Sequence, residues 1–249
     1  GTDGLNVSPE RFEQALRQIQ AHANPDFVML TGDQVDVGTV NEVRFMHEVI
    51  DRVGLPVIQV NGNHEGQCKI TDRTTIPAVD PSALACDEQL DDFYTVFGPP
   101  TFAFFWGRYL FITLDCMNPY APAQHQWLSS LLAEVPISTP IIAAIHHPEM
   151  PFWCFPELFA RNLRMIISGH YHTPQTFRLG NVLHSSCSPA LMVGHDGFPP
   201  SGRIYRVGAS GSQGITYETI NLNTASAFAR IMIRRDAGLS PTAQGGPLE

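Results

Sequence analysis

The segment MIISGHYHTP, residues 165–174, places two histidines one residue apart, directly after a glycine and an apolar run. Two imidazoles at i and i+2 can approach one cation from a single loop, and few other roles need that spacing. Three more apolar runs end in polar clusters. FVML (27–30) leads into TGDQVD, with Asp33 and Asp36; PVIQV (56–60) leads into NGNHE, with Asn63, His64 and Glu65; PIIAAI (140–145) leads into HHP, with His146 and His147. Taken singly, each cluster reads as a turn, in which glycine relaxes the backbone and Asp or Asn bonds it. Taken together they supply carboxylate, amide oxygen and imidazole. That donor set suits Mn, Fe, Zn or Co without selecting one, and it lacks the thiolates of a structural zinc site.

Four clusters can meet only if the elements before them are arranged to bring them together. Pro9 and Glu10 open a helix that Asn24-Pro25 ends, with Ser8 as its cap. Thr39 and Glu42 form a capping-box pair ahead of a helix to about Val53. Asp87 caps a short helix through Tyr94, and AQHQWLSSLLAEV (123–135) is amphipathic and helical. FAFFWGRYLFITLD (102–115) predicts two strands around Gly107-Arg108, and TFRLGNVLHSS (176–186) predicts a hairpin turning at Gly180-Asn181. RIYRV and GITYETINL are further strands, and no internal repeat is found. The early half alternates helix and strand and the late half is richer in hairpins, so mixed sheets with helices on their outer faces are expected. Ligands of such folds sit outside the carboxyl ends of strands, where all four clusters fall.

The chain has 249 residues, 43% hydrophobic and 16% charged, enough for a substantial core. One domain over residues 1–235 is expected, with an inserted polar loop at 66–86 and a mobile Gly/Pro/Ser-rich tail at 236–249. The net charge of −9 and the lack of a Lys/Arg cluster argue against large nucleic acid, while a small phosphoester remains compatible because metal ions supply local positive charge. The five cysteines are scattered without a CxxC pair, which points to a reducing, cytoplasmic setting. No apolar run is long enough to span a bilayer.

With these motifs in order, GDQVD (32–36), GNHE (62–65), HHP (146–148) and GHYH (169–172), the chain resembles the calcineurin-like metallophosphoesterases. The resemblance covers about residues 26–190 and implies an α/β fold: a four-layer αββα sandwich of two mixed sheets, with a dinuclear metal centre. Carried over by position, Asp33 resembles the carboxylate that bridges two ions. Asn63, His146 and His170 resemble the other ligands of one ion, and His172 a ligand of the second. His146 is chosen over His147 because the family's ligand stands two residues before the proline. His64 resembles the residue that protonates the leaving oxygen or stabilises phosphoryl charge, and Asp36 the acid that orients it. The resemblance implies hydrolysis of a phosphoester by a hydroxide held between the ions.

Two departures refine that expectation. The family's first motif, Asp-x-His, is absent; the chain opens GTDGLN, and Asp3 is a poor substitute. Either an Asp-x-His strand lies upstream of Gly1, or the second metal site is weak, with only Asp33 and His172 to hold it. A weak second site would make the chain a degenerate, non-catalytic relative. The second departure is Val37, which stands where the Ser/Thr protein phosphatases carry an arginine that would clamp phosphate. A phosphodiester such as a cyclic nucleotide is therefore the expected substrate, with a phosphomonoester or phosphoprotein as the alternative. His184 and His195 are expected to be ordinary hairpin and loop residues, and FAFFW sheet core. Trp153 and Phe155 are candidate pocket walls.

Overall fold

The computed structural model describes residues 9–35, 40–65, 93–190, 197–208, 214–222 and 230–235. Helices α1 (Pro9–Ala23) and α2 (Val40–Val53) flank strand β1 (Phe27–Leu30), and β2 (Val57–Gln59) follows. After a helical stretch at 93–97 come β3 (Phe102–Trp106), β4 (Tyr109–Thr113), α3 (Pro122–Glu134), β5 (Ile141–Ala144), α4 (Met150–Cys154), a 3-10 turn (Pro156–Ala160) and β6 (Leu163–Ile167). Strands β7 (Gln175–Leu179), β8 (Val182–Ser186), β9 (Ser201–Val207), β10 (Ile215–Asn221) and β11 (Arg230–Arg235) complete the order.

Two mixed sheets result. One runs β10-β9-β11-β1-β2 and the other β3-β4-β5-β6-β8-β7. Strands β4, β5, β6 and β8 are parallel, as are β1 and β2, so the loops that follow β1, β2, β5 and β6 leave from carboxyl ends. The period of two along each strand sorts its residues between layers. Val28 and Leu30 of β1 pack under α1 and α2, while Phe27 and Met29 face the second sheet. Ile142 and Ala144 of β5 meet them from the other side, and Ile141 and Ala143 point outward to Leu128 and Leu132 of α3. Strands with two buried faces explain the unbroken apolar runs of the sequence. Helix, sheet, sheet and helix stack in the expected αββα order. Phe27 pins the inner layer, its ring edge-on to Phe104, Trp106 and Phe111 at 5.6, 5.4 and 5.5 Å.

Several local expectations are met. The helix from Pro122 and the hairpin turning at Gly180-Asn181 are present. FAFFW is β3, an edge strand whose Phe104 and Trp106 pack inward and whose Phe105 faces solvent. His184 is buried within β8, against the Phe177 ring at 4.6 Å and 3.1 Å from the Ser168 hydroxyl. Strand β11, RIMIRR, was not expected; it pairs antiparallel with β1 and parallel with β9. Cys116, Cys154 and Cys187 are buried and free. Among the described residues no helix is long and apolar enough to cross a membrane. Ser8, Thr39, Asp87, His195, the loop 66–86 and the tail 236–249 lie outside the described residues.

Arg203 of β9 ties the two sheets together beside the segment that follows His172. Its Nη1 donates to the Gln175 carbonyl at 3.1 Å and to the hydroxyls of Thr176 and Ser185, and its guanidinium lies 4.9 Å from the Tyr217 ring centroid. Burial first, and the nearby Arg203 charge second, lower the His184 pKa to about 4 from 6.5. Between those two values the unfolded chain binds the proton that the folded chain refuses, so stability is lost as pH falls from 6.5 to about 4. The difference is on the order of 3 kcal/mol. His184→Gln should flatten that acid limb in urea unfolding measured at a series of pH values; an unchanged slope would assign the limb to other groups.

Candidate metal centre

The turn after β1 brings Asp33 to the end of the strand, with Gly32 at φ 93° and Asp33 at φ 54°. His170 and His172 also adopt positive φ, at 68° and 55°. Left-handed backbone is disfavoured for residues that carry a Cβ. Among the described residues only Asn24 joins these three, so the uncommon conformation collects where the motifs meet.

Glycines let the loops approach. A Cβ on Gly32 would strike the His146 ring and come within 2.8 Å of the Gly62 Cα; one on Gly62 would strike the Asp33 carboxylate and amide; one on Gly169 would lie 2.7 Å from the Thr31 carbonyl oxygen. The glycine before each of Asp33, Asn63 and His170 is thus fixed by close contact with another motif. Below them sits Glu65, fully buried. Its carboxylate accepts the amides of Asp33 at 2.9 Å and Val35 at 3.2 Å, together with those of Gln34 and Gly62. Burial and the Asp33 charge push the Glu65 pKa up to about 7, while the amide bonds act in the opposite direction.

Four of the five expected ligands converge. His146 Nε2 lies 3.1 Å from Asp33 Oδ2 and 3.2 Å from Asn63 Oδ1, and His170 Nδ1 lies 3.1 Å from the same Asn63 oxygen. The His146 Nδ1–H donates to the Thr31 carbonyl at 2.6 Å, which fixes the tautomer of a neutral ring. Its Nε2 lone pair then faces two oxygen lone pairs, an arrangement that requires a proton or a cation in the middle. An imidazole whose far nitrogen is held by a backbone carbonyl is the usual support for a metal-ligating histidine. Burial opposes ionisation of Asp33, but His146 and His64 outweigh it and hold the carboxyl well below the usual carboxylate range. The same pair interaction raises His146 against its own burial. Burial, His147 and His146 together lower the His170 pKa to about 4, so that ring stays neutral and keeps one nitrogen lone pair for a ligand. The residues present fit a divalent cation.

His172 shares the loop of His170 but is not part of the three-histidine cluster beside it. That cluster is His146, His147 and His170, whose ligand atoms all lie within 4.8 Å of one another. His147, passed over in the sequence in favour of His146, packs its ring 3.8 Å from that of His170. His64 stands at the rim, half-buried, with its amide donating to Asp33 Oδ1 at 3.0 Å and its Nε2 4.0 Å from Asp33 Oδ2. Asp36 lies outside the described residues. Phe155, expected as a pocket wall, is instead fully buried beside α3 in the outer core, because it follows the turn of α4 that leads back to the sheet. Trp153 is 77% exposed.

Three supporting roles were not read from the sequence. One belongs to Glu65, named in its cluster without a role. Another belongs to Asp115, at the end of β4, which accepts from Asn61 Nδ2 at 2.6 Å and from the Met117 amide at 2.8 Å, anchoring the chain before Gly62. The third belongs to Glu149, which accepts from Tyr171 at 3.1 Å and pairs with His147 Nδ1 at 3.2 Å, joining the HHP and GHYH loops. Acid residues close to the motifs were the available signal; their partners were not readable. Glu65→Gln should cost about 2–3 kcal/mol and lower metal content, because an amide offers one acceptor to four N–H groups and turns its own NH2 toward them. Urea unfolding and metal analysis check it; wild-type values for both would show that the clamp is dispensable.

The family model for calcineurin-like phosphoesterases matches residues 6–174. A search of curated proteins finds no match. Among solved structures, the chain is similar to a phosphopantetheinyl hydrolase (PptH) from Mycobacterium tuberculosis at 15% identity and a TM-score of 0.39, covering 63% of this chain and 76% of that one. It is also similar to GAP50, the anchor in the inner membrane complex of Plasmodium, at 14% identity and a TM-score of 0.49, covering 94% and 85%. Neither likeness is close enough to bear on substrate. Ordered motifs, sandwich fold and the match over most of the chain agree: this chain belongs to the calcineurin-like phosphoesterase family, a family of metal-dependent hydrolases.

Proposed function

We propose that the chain hydrolyses a small phosphodiester, of which a cyclic nucleotide is one example, using two divalent ions of the Mn, Fe, Zn or Co type. The observation that carries this reading is the convergence of His146 Nε2 on the Asp33 and Asn63 oxygens at 3.1 and 3.2 Å, with His170 Nδ1 3.1 Å from the same Asn63 oxygen. Asp33, Asn63, His146 and His170 would hold one ion, and Asp33 and His172 would serve the other. When bound, the ions supply Lewis acidity, which lowers the pKa of a water and offsets charge on phosphoryl oxygens.

The chain's own groups do the rest. Asp33, kept ionised by its histidine neighbours, holds the His64 amide and so fixes where that imidazole stands. His64 at the half-buried rim gives its proton to the leaving oxygen, and Asp36 orients it, following the base-and-orienter logic of a triad. The Thr31 carbonyl fixes the His146 ring, and the Glu149 bridge limits relative motion of the two histidine loops. The diester preference rests on Val37, which cannot clamp a phosphate dianion as arginine does.

Asp33→Asn should lower kcat/KM for bis(p-nitrophenyl) phosphate by about a thousandfold or more, with loss of bound metal. His64→Ala should lower kcat by about 10²–10⁴-fold while metal content stays at the wild-type level. A His64→Ala protein stripped of metal would make His64 a ligand instead. Faster turnover of p-nitrophenyl phosphate than of the diester would replace the diesterase reading with a monoesterase.

A further inference from the structure

His146 and His147 are neighbours in the chain, and successive side chains of an extended backbone point to opposite faces. Strand β5 ends at Ala144, and the bend that follows turns both rings onto His170, whose centroid is 5.2 Å from that of His146 and 3.8 Å from that of His147. One nitrogen from each of the three rings lies within 4.8 Å of the other two. Donors about 2.1 Å from a single cation stand at most about 4.2 Å apart, so a closing shift of about 0.6 Å completes the set.

The far side of His147 is held. Its Nδ1 lies 3.2 Å from Glu149 Oε1, and the other Glu149 oxygen accepts from the Tyr171 hydroxyl at 3.1 Å. An ionised carboxylate only accepts, so Nδ1 carries the ring proton and Nε2 keeps its lone pair. A carboxylate placed behind an imidazole in this way fixes the orientation of metal-ligating histidines and raises their basicity. The Thr31 carbonyl does the same for His146. The resemblance that singles out His146 as a ligand gives His147 no role. We propose that His147 is a further ligand of the ion held by Asp33, Asn63, His146 and His170, which makes that site one of three imidazoles. Imidazole suits zinc, whereas carboxylate, carbonyl and water suit manganese, so the third ring biases the site toward zinc. The inference rests on the metal-centre reading above and adds one ligand to it.

The test is competition with a chromophoric chelator for zinc and, separately, for manganese. It uses the metal-free full chain carrying His172→Gly, which suits the positive φ of that position and leaves one ion to be read. One zinc per chain is expected. His147→Gln should weaken zinc by about a hundredfold and manganese by about tenfold or less, so the preference for zinc falls, while Asp33→Asn should weaken both metals. Should His147→Gln fail to fold by circular dichroism, Glu149→Gln replaces it, with zinc weakened about tenfold and manganese less. Unchanged zinc affinity in the variant tested, or equal losses for the two metals, would overturn the proposal and leave the metal centre standing if Asp33→Asn still releases both. No zinc binding by the chain with His147 and Asp33 intact would overturn the proposal together with the metal-centre reading.

Discussion

Glu65 has no exposed surface, and its two oxygens accept backbone amides from the turn after β1 and from Gly62. A buried carboxylate is costly unless its lone pairs are filled. Here they are filled by main chain alone, so the energy that keeps Glu65 satisfied also sets the separation of two loops about thirty residues apart in sequence. Asp33 and Asn63 ride on those loops. Their side chains can meet His146 because the amides beneath them are already tied to one anchor.

Close approach is the second constraint, and it follows from the first. With the two turns drawn together, the gap at Gly32, Gly62 and Gly169 is smaller than a methyl group. The clusters GD, GN and GH therefore share a steric cause. Each glycine leaves room for a neighbouring motif: Gly32 for the HHP histidine, Gly169 for the Thr31 carbonyl, Gly62 for the Asp33 carboxylate. The polar network of Asp115, Asn61 and Gln124 extends the same arrangement toward β4 and α3, with the Asp115 amide donating to Gln124 Oε1 at 2.7 Å. The rigid sandwich supplies direction, and these contacts supply position.

Much of this was legible in the sequence. GHYH, GNHE and GDQVD announce themselves by residue type at fixed spacing, and apolar runs before them mark strands buried on both faces. Mixed sheets with helices outside followed from the alternation of helix and strand, and the four-layer order from the family resemblance. What stayed hidden depends on partners distant in sequence. Glu65 stood in view, but its ligands are backbone amides, which leave no mark in a sequence. Arg203 reads as a surface strand residue until β7 and β8 are seen to meet it. In RIMIRR, arginines at three of six positions masked a strand that finds its place between β1 and β9. Phe155 followed HHP closely enough to suggest a pocket wall, yet the 3-10 turn after it carries the chain into the core instead.

The left-handed backbone at Asp33, His170 and His172 has a consequence for anyone randomising these positions. Val, Ile and Thr would be rejected there by the main chain before any question of ligation arises, since branching at Cβ is least tolerated at positive φ. Failure of such variants says nothing about coordination. Asparagine is comfortable in that conformation and offers a neutral donor atom, so it separates what the backbone demands from what the cation demands.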